Sequence, residues 1–93
     1  MLKFNASNLE DLQAEVKERE HETAIAIVKA ICLALDHSVD VVEIGLIAGG
    51  NLSITAKRAD FLMALQFNLE RCQDAEEFEL CAKAVSWMAK LSA

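Results

Sequence analysis

Proline and tyrosine do not occur in this chain, and glycine and cysteine occur only three times each among 93 residues. There is no proline-rich, repetitive or low-complexity tract, so no stretch reads as a linker. The glycines (Gly45, Gly49 and Gly50) are too few for a GxGxxG fingerprint, and no Lys-Ser/Thr follows the last of them. Both nucleotide-binding signatures are thereby excluded. Cys32, Cys72 and Cys81 include no CxxC pair and make an odd count. That pattern excludes a standard zinc module and argues against a disulfide framework. Cys32 and Cys81 sit among apolar neighbours and Cys72 falls on an apolar helix stripe, where a free thiol behaves as a small hydrophobe, and a reducing compartment suits them. No apolar run is long. The stretch from Ala24 to Leu35 is interrupted by Lys29 and falls short of the roughly 20 residues a membrane span requires. The first seven residues lack the apolar region of a secretory signal. The reading is therefore a cytoplasmic chain with no membrane partner.

Basic residues are also scarce. Nine Lys and Arg face fifteen Asp and Glu, for a net charge of −6 and an isoelectric point of about 4.8. The only adjacent basic pair is Lys57-Arg58. Direct nucleic-acid binding normally needs a basic face, so that function class is set aside.

Apolar side chains are plentiful. They make up 54% of the chain, against roughly 45–50% with glycine included in ordinary domains. The length suits a single domain over residues 1–93. A domain this small buries only about 60% of its unfolded surface. So much apolar surface on so short a chain implies a dense core, or a face that meets another chain.

The patterning gives an α+β class, mainly helical, in the order α-β-β-α-α, with one antiparallel β-hairpin packed on three helices. Ser7-Asn8-Leu9-Glu10 reads as a capping box that opens a helix from about Asn8 towards Leu35. Its first half has one stripe of Leu9, Leu12 and Val16. The segment from Lys17 to Glu22 is polar all round, and a break is expected near His21–Thr23. Beyond Ala24, Ile25, Ile27, Val28, Ile31, Cys32, Leu33 and Leu35 cannot share one side, so the helix reads as buried on all sides. The period then changes to two. Val42, Ile44 and Leu46, followed after Gly49-Gly50-Asn51 by Leu52 and Ile54, predict a hairpin with one apolar face. Glu43, Ser53, Thr55 and Lys57 fall on the other face. A second helix over about 59–72 has a core stripe of Phe61, Leu62, Leu65, Leu69 and Cys72. Asp74-Ala75-Glu76-Glu77 resembles another capping box, predicting a third helix over roughly 75–91.

Three candidate chemistries fail on spacing. His21-Glu22 begins like HExxH, but the second histidine position is Ile25. Asp36-His37-Ser38 has the residue types of a hydrolase triad, yet triads converge from distant positions, and three consecutive residues read as a helix exit. The glycines around 45–50 read as turn geometry. No catalytic, cofactor-binding or metal-binding residue is assigned.

Two features point to a binding role. The first is apolar excess: Met63 and Phe67 lie opposite their helix's core stripe, and the third helix has an apolar arc of roughly 220°. Met63, Phe67, Leu80, Trp87 and Leu91 are the candidate interface, and a homodimer is the simplest occupant. The second is charge. Glu10–Glu22 holds six acids and two bases, and Glu70–Glu79 five acids and one base, each net −4, while the remainder is net +2. Glu15, Glu18, Glu22, Glu76 and Glu77 form a candidate acidic docking face for a second protein with a basic surface. The expected function is a non-enzymatic protein–protein interaction or regulatory module that is homodimeric. The alternative is an acidic inhibitor that blocks a nucleic-acid-binding groove on its target. Small phage-encoded inhibitors of the anti-CRISPR kind offer an analogy of size and charge there, not of motif.

Overall fold

The computed structural model describes residues 2–5, 8–47 and 52–93. Among them are three strands and four helices, in the order β1 (Leu2–Phe4), α1 (Leu9–Glu18), α2 (Glu20–Asp36), β2 (Val41–Ile47), β3 (Leu52–Lys57), α3 (Arg58–Asp74) and α4 (Phe78–Ser92). The class is α+β and mainly helical, as the patterning implies, but the chain opens with a strand and the first helix is two helices.

The first helix starts at Asn8, whose side chain accepts from the Asp11 N–H at 2.8 Å. Glu10 and Asp11 place negative charge at the positive end of the helix dipole. Ser7, the expected cap, lies outside the described residues. The break falls at Arg19 (φ −108°, ψ 36°), somewhat before the expected place. Arg19 is held there from several sides. Its Nη1 donates to the Lys3 carbonyl at 2.7 Å, and its guanidinium makes a two-point pair with Glu22 and lies 5.1 Å from the Phe4 ring centroid. A residue committed to β1, α2 and an aromatic face at once fixes where one helix ends and the next begins.

β1 pairs in parallel with β2 (Leu2↔Gly45, Lys3↔Leu46, Phe4↔Ile47), and β2 pairs antiparallel with β3. The sheet order is β1-β2-β3. Parallel neighbours need a long crossover, and α1 with α2 supplies it. The hairpin register slips between Glu43 and Gly45: Glu43 lies opposite Thr55, whereas Gly45 lies opposite Ile54. One extra residue there is a β-bulge, which changes the alternation. Val42, Ile44 and Ile54 face the helices as expected, with Ile44 8% exposed. Leu46 does not: it lies opposite Ser53 and beside Lys3, on the outer face. The turn residues Ala48–Asn51 lie outside the described residues.

The core is built on α2. Its residues Val28, Ile31 and Cys32 are completely or almost completely buried, together with Phe4, Phe61, Leu65 and Cys72. The helix is not buried on all sides, however. Glu22, Lys29 and Leu33 form an outer stripe, and Leu33 is 57% exposed. α3 runs antiparallel to α2, with Arg71–Glu20 (2.6 Å) near one end and Arg58–Asp40 (3.7 Å) at the other. Its stripe of Phe61, Leu65 and Cys72 is buried as the spacing requires.

Both helix exits use the same turn. After α2, the Val39 N–H bonds the Ala34 carbonyl and the Ser38 N–H the Leu35 carbonyl. After α3, Glu77 and Glu76 repeat this on Cys72 and Gln73. These are Schellman endings, with Ser38 (φ 56°) and Glu76 (φ 60°) in the left-handed position that glycine usually fills. Asp74-Ala75-Glu76-Glu77 is therefore a stop and not a start. α4 begins at Phe78 with no side-chain cap.

Candidate functional site

The expected interface residues divide into two groups. Met63 and Phe67 stand one turn apart on α3 and are 70% and 69% exposed. Leu80, Trp87 and Leu91 turn inward on α4 and pack, half-buried, against the core. Trp87 is held further. Its indole N–H donates to Asp36 at the end of α2, and the Lys90 ammonium lies 4.5 Å from its ring centroid.

Packing accounts for this division. α4 directs Leu80, Cys81, Ala84, Trp87, Met88 and Leu91 at the core, which takes roughly 120° of its apolar arc. The rest of that arc is Phe78, Ala82, Val85 and Ala89, all exposed. Their 4-3-4 spacing runs straight along one side of the helix, close to the 3.5-residue repeat by which paired helices meet. Phe78 is 65% exposed and Val85 49%. Beyond this seam lies the polar strip Glu79, Lys83, Ser86 and Lys90, also exposed. The seam was missed in the sequence because its residues belong to the same continuous arc as the core residues. Nothing in the spacing alone says which part of the arc turns inward.

Two of the five proposed docking acids serve internal contacts. The Glu15 carboxylate accepts the Asn5 N–H through both oxygens at 3.1 Å, tying α1 to the end of β1. Glu22 is paired with Arg19, whose hydrogen bond holds its carboxyl below the usual range. Glu18 is exposed on α1. Glu76 occupies the left-handed turn, and Glu77 is the backbone cap of α4.

The remaining candidates take structural places. Asp36 makes an ion pair with Lys83 and accepts from Trp87, while His37 caps α2. All three cysteines are buried free thiols, one each from α2, α3 and α4. Burial pushes each thiol up, Cys72 to about 11, so the nucleophilic thiolate is disfavoured at neutral pH. Among the described residues no group of three or more His, Cys, Asp or Glu side chains could hold a metal ion, and no helix is long and apolar enough to cross a membrane. No protein-family model, curated protein or solved structure matches this chain.

Proposed function

We propose that this chain is a non-enzymatic interaction module that pairs with a second copy of itself through the outer seam of α4. The observation that carries the reading is the exposed 4-3-4 line of Phe78, Ala82, Val85 and Ala89. A contiguous apolar strip of this kind is unusual on a soluble monomer and commonly marks an interface. Two copies of one helix can satisfy it about a two-fold axis, the commonest closed arrangement. The small residues Ala82 and Ala89 let two backbones approach, and Phe78 and Val85 supply the area. The flanking strip of Glu79, Lys83 and Lys90 has both charge signs, which suits a polar rim.

Sedimentation equilibrium at micromolar concentration tests this. The unaltered chain should give a dimer mass, and Val85→Glu a folded monomer by circular dichroism. A monomer mass for the unaltered chain overturns the pairing. A dimer abolished by Met63→Glu but not by Val85→Glu overturns the choice of α4 and moves the interface to α3.

A further inference from the structure

A groove of about 530 Å³ is lined by residues of α1, α2 and α3. Its size falls within the roughly 300–1,000 Å³ of small-molecule sites. Leu12 and Val16 of α1, Ile27 of α2 and Phe67 of α3 give it apolar walls. Thr23, in the first turns of α2, also lines it. Thr23 is only 8% exposed, and its hydroxyl has no hydrogen-bond partner. That oxygen is itself covered, so Thr23 closes the floor of the groove and offers its occupant no polar contact.

Charge at the rim selects the ligand. Glu20 and Arg71 neutralise each other at 2.6 Å, and Arg71 also stacks on Phe67. Lys17 of α1 makes no ion pair among the described residues. The rim therefore carries one uncompensated positive charge, although the whole chain is net −6. α1 itself is incompletely packed. It has no fully buried residue, and Leu12 and Val16, its contacts with the core, are the same side chains that wall the groove. A ligand in the groove would complete the packing of that helix.

We propose that the groove binds a small aliphatic carboxylate. The tail lies against Leu12, Val16, Ile27 and Phe67. The carboxylate lies at the rim, drawn by the Lys17 ammonium. This site is separate from the α4 seam, so the two readings can fail independently.

Decanoate is the test ligand, with decanol and decyltrimethylammonium as neutral and cationic counterparts, all kept below their micelle-forming concentrations. Calorimetric titration of the full chain should give saturable binding of decanoate with one site per chain. Amide resonances of Thr23 and Asn68 should move, and hydrogen exchange in α1 should slow. Lys17→Gln, at an exposed position, should weaken decanoate and leave decanol unchanged. Val16→Trp should fill the groove and abolish binding. The Val85→Glu chain should bind as the unaltered chain does. No saturable binding of decanoate, equal affinity for the cationic counterpart, or binding that survives Val16→Trp in a folded chain would each overturn the proposal.

Discussion

The indole N–H of Trp87 donates to Oδ1 of Asp36 at 3.1 Å, joining residues 51 positions apart. Lys83 takes the other oxygen of the same carboxylate. One side chain at the last turn of α2 thus holds two successive turns of α4. The Lys83 hydrogen bond, followed by that of Trp87, keeps the Asp36 carboxyl below its ordinary value of 3.8. A carboxyl whose folded-state pKa is depressed stabilises the fold above its unfolded value, and the contribution disappears as pH falls through the folded value. Asp36→Ala should therefore lower the melting temperature at pH 7 and change the emission of Trp87, the only tryptophan. The gap between the two chains should close below about pH 4. A gap that persists unchanged at pH 3 would show that Asp36 acts through something other than its charge.

Ser38 and Glu76 hold left-handed backbone without being glycine. A Cβ in that conformation costs roughly 1–2 kcal/mol. Glycine removes the clash but adds freedom to the unfolded chain, which offsets part of the gain. Ser38→Gly and Glu76→Gly should each stabilise by about 1 kcal/mol, a rise of roughly 4–8 °C in melting temperature for a domain this small. Their effects should add, because the two turns end different helices. Thermal denaturation of both single variants and the double variant measures this. A fall in melting temperature for either single variant would contradict the strain at that turn.

Much of the fold was legible where burial follows local periodicity. The stripe of Phe61, Leu65 and Cys72 and the polar strip of Glu79, Lys83, Ser86 and Lys90 lie where a 3.6-residue repeat places them. What could not be read depends on distant partners. β1 is three residues long, and Phe4 is 2% exposed only because β2 and Arg19 meet it. Asp74-Ala75-Glu76-Glu77 has the composition of a helix start, but the carbonyls of α3 capture its amides first. The α4 seam and the core side of that helix are equally apolar, so only the docked geometry separates Val85 from Ala84. The covered, unpartnered hydroxyl of Thr23 has no sequence signal, since its burial depends on tertiary packing around α2.

The bulge in β2 separates Ile44 from Leu46. An unbroken alternation would place both on the core face, but the register puts Ile44 against the helices and Leu46 opposite Ser53. Ile44→Ala should cost on the order of 2–4 kcal/mol, the loss of a packed branched side chain. Leu46→Thr should cost less than about 1 kcal/mol, because threonine suits an outer strand position. Chemical denaturation of both variants measures the difference. Equal losses would mean that the alternation runs through the bulge unchanged.

The buried thiols give the last prediction, at alkaline pH. Cys72 is pushed from its ordinary value of 9.0 to about 11, first by burial and then by the neighbouring charges of Cys81, Glu77 and Cys32. The folded chain holds this proton more tightly than the unfolded chain does. The resulting stability is fully present below about pH 9 and is lost as pH rises from about 9 to about 11. Lys83, whose ammonium Asp36 holds above its usual range, loses its own contribution as pH rises further. The comparison that isolates the thiol is therefore with Cys72→Ala. That variant should be less stable at pH 7, having lost a buried sulfur, yet decline less steeply between pH 9 and 11. At pH 8 the native chain should react with iodoacetamide only as fast as it unfolds, because little thiolate forms and the sulfur is covered. Mass spectrometry of the alkylated chain, with and without denaturant, gives the rates. Rapid modification of Cys72 in the folded chain, or parallel alkaline decline in both chains, would remove burial as the cause of the raised pKa.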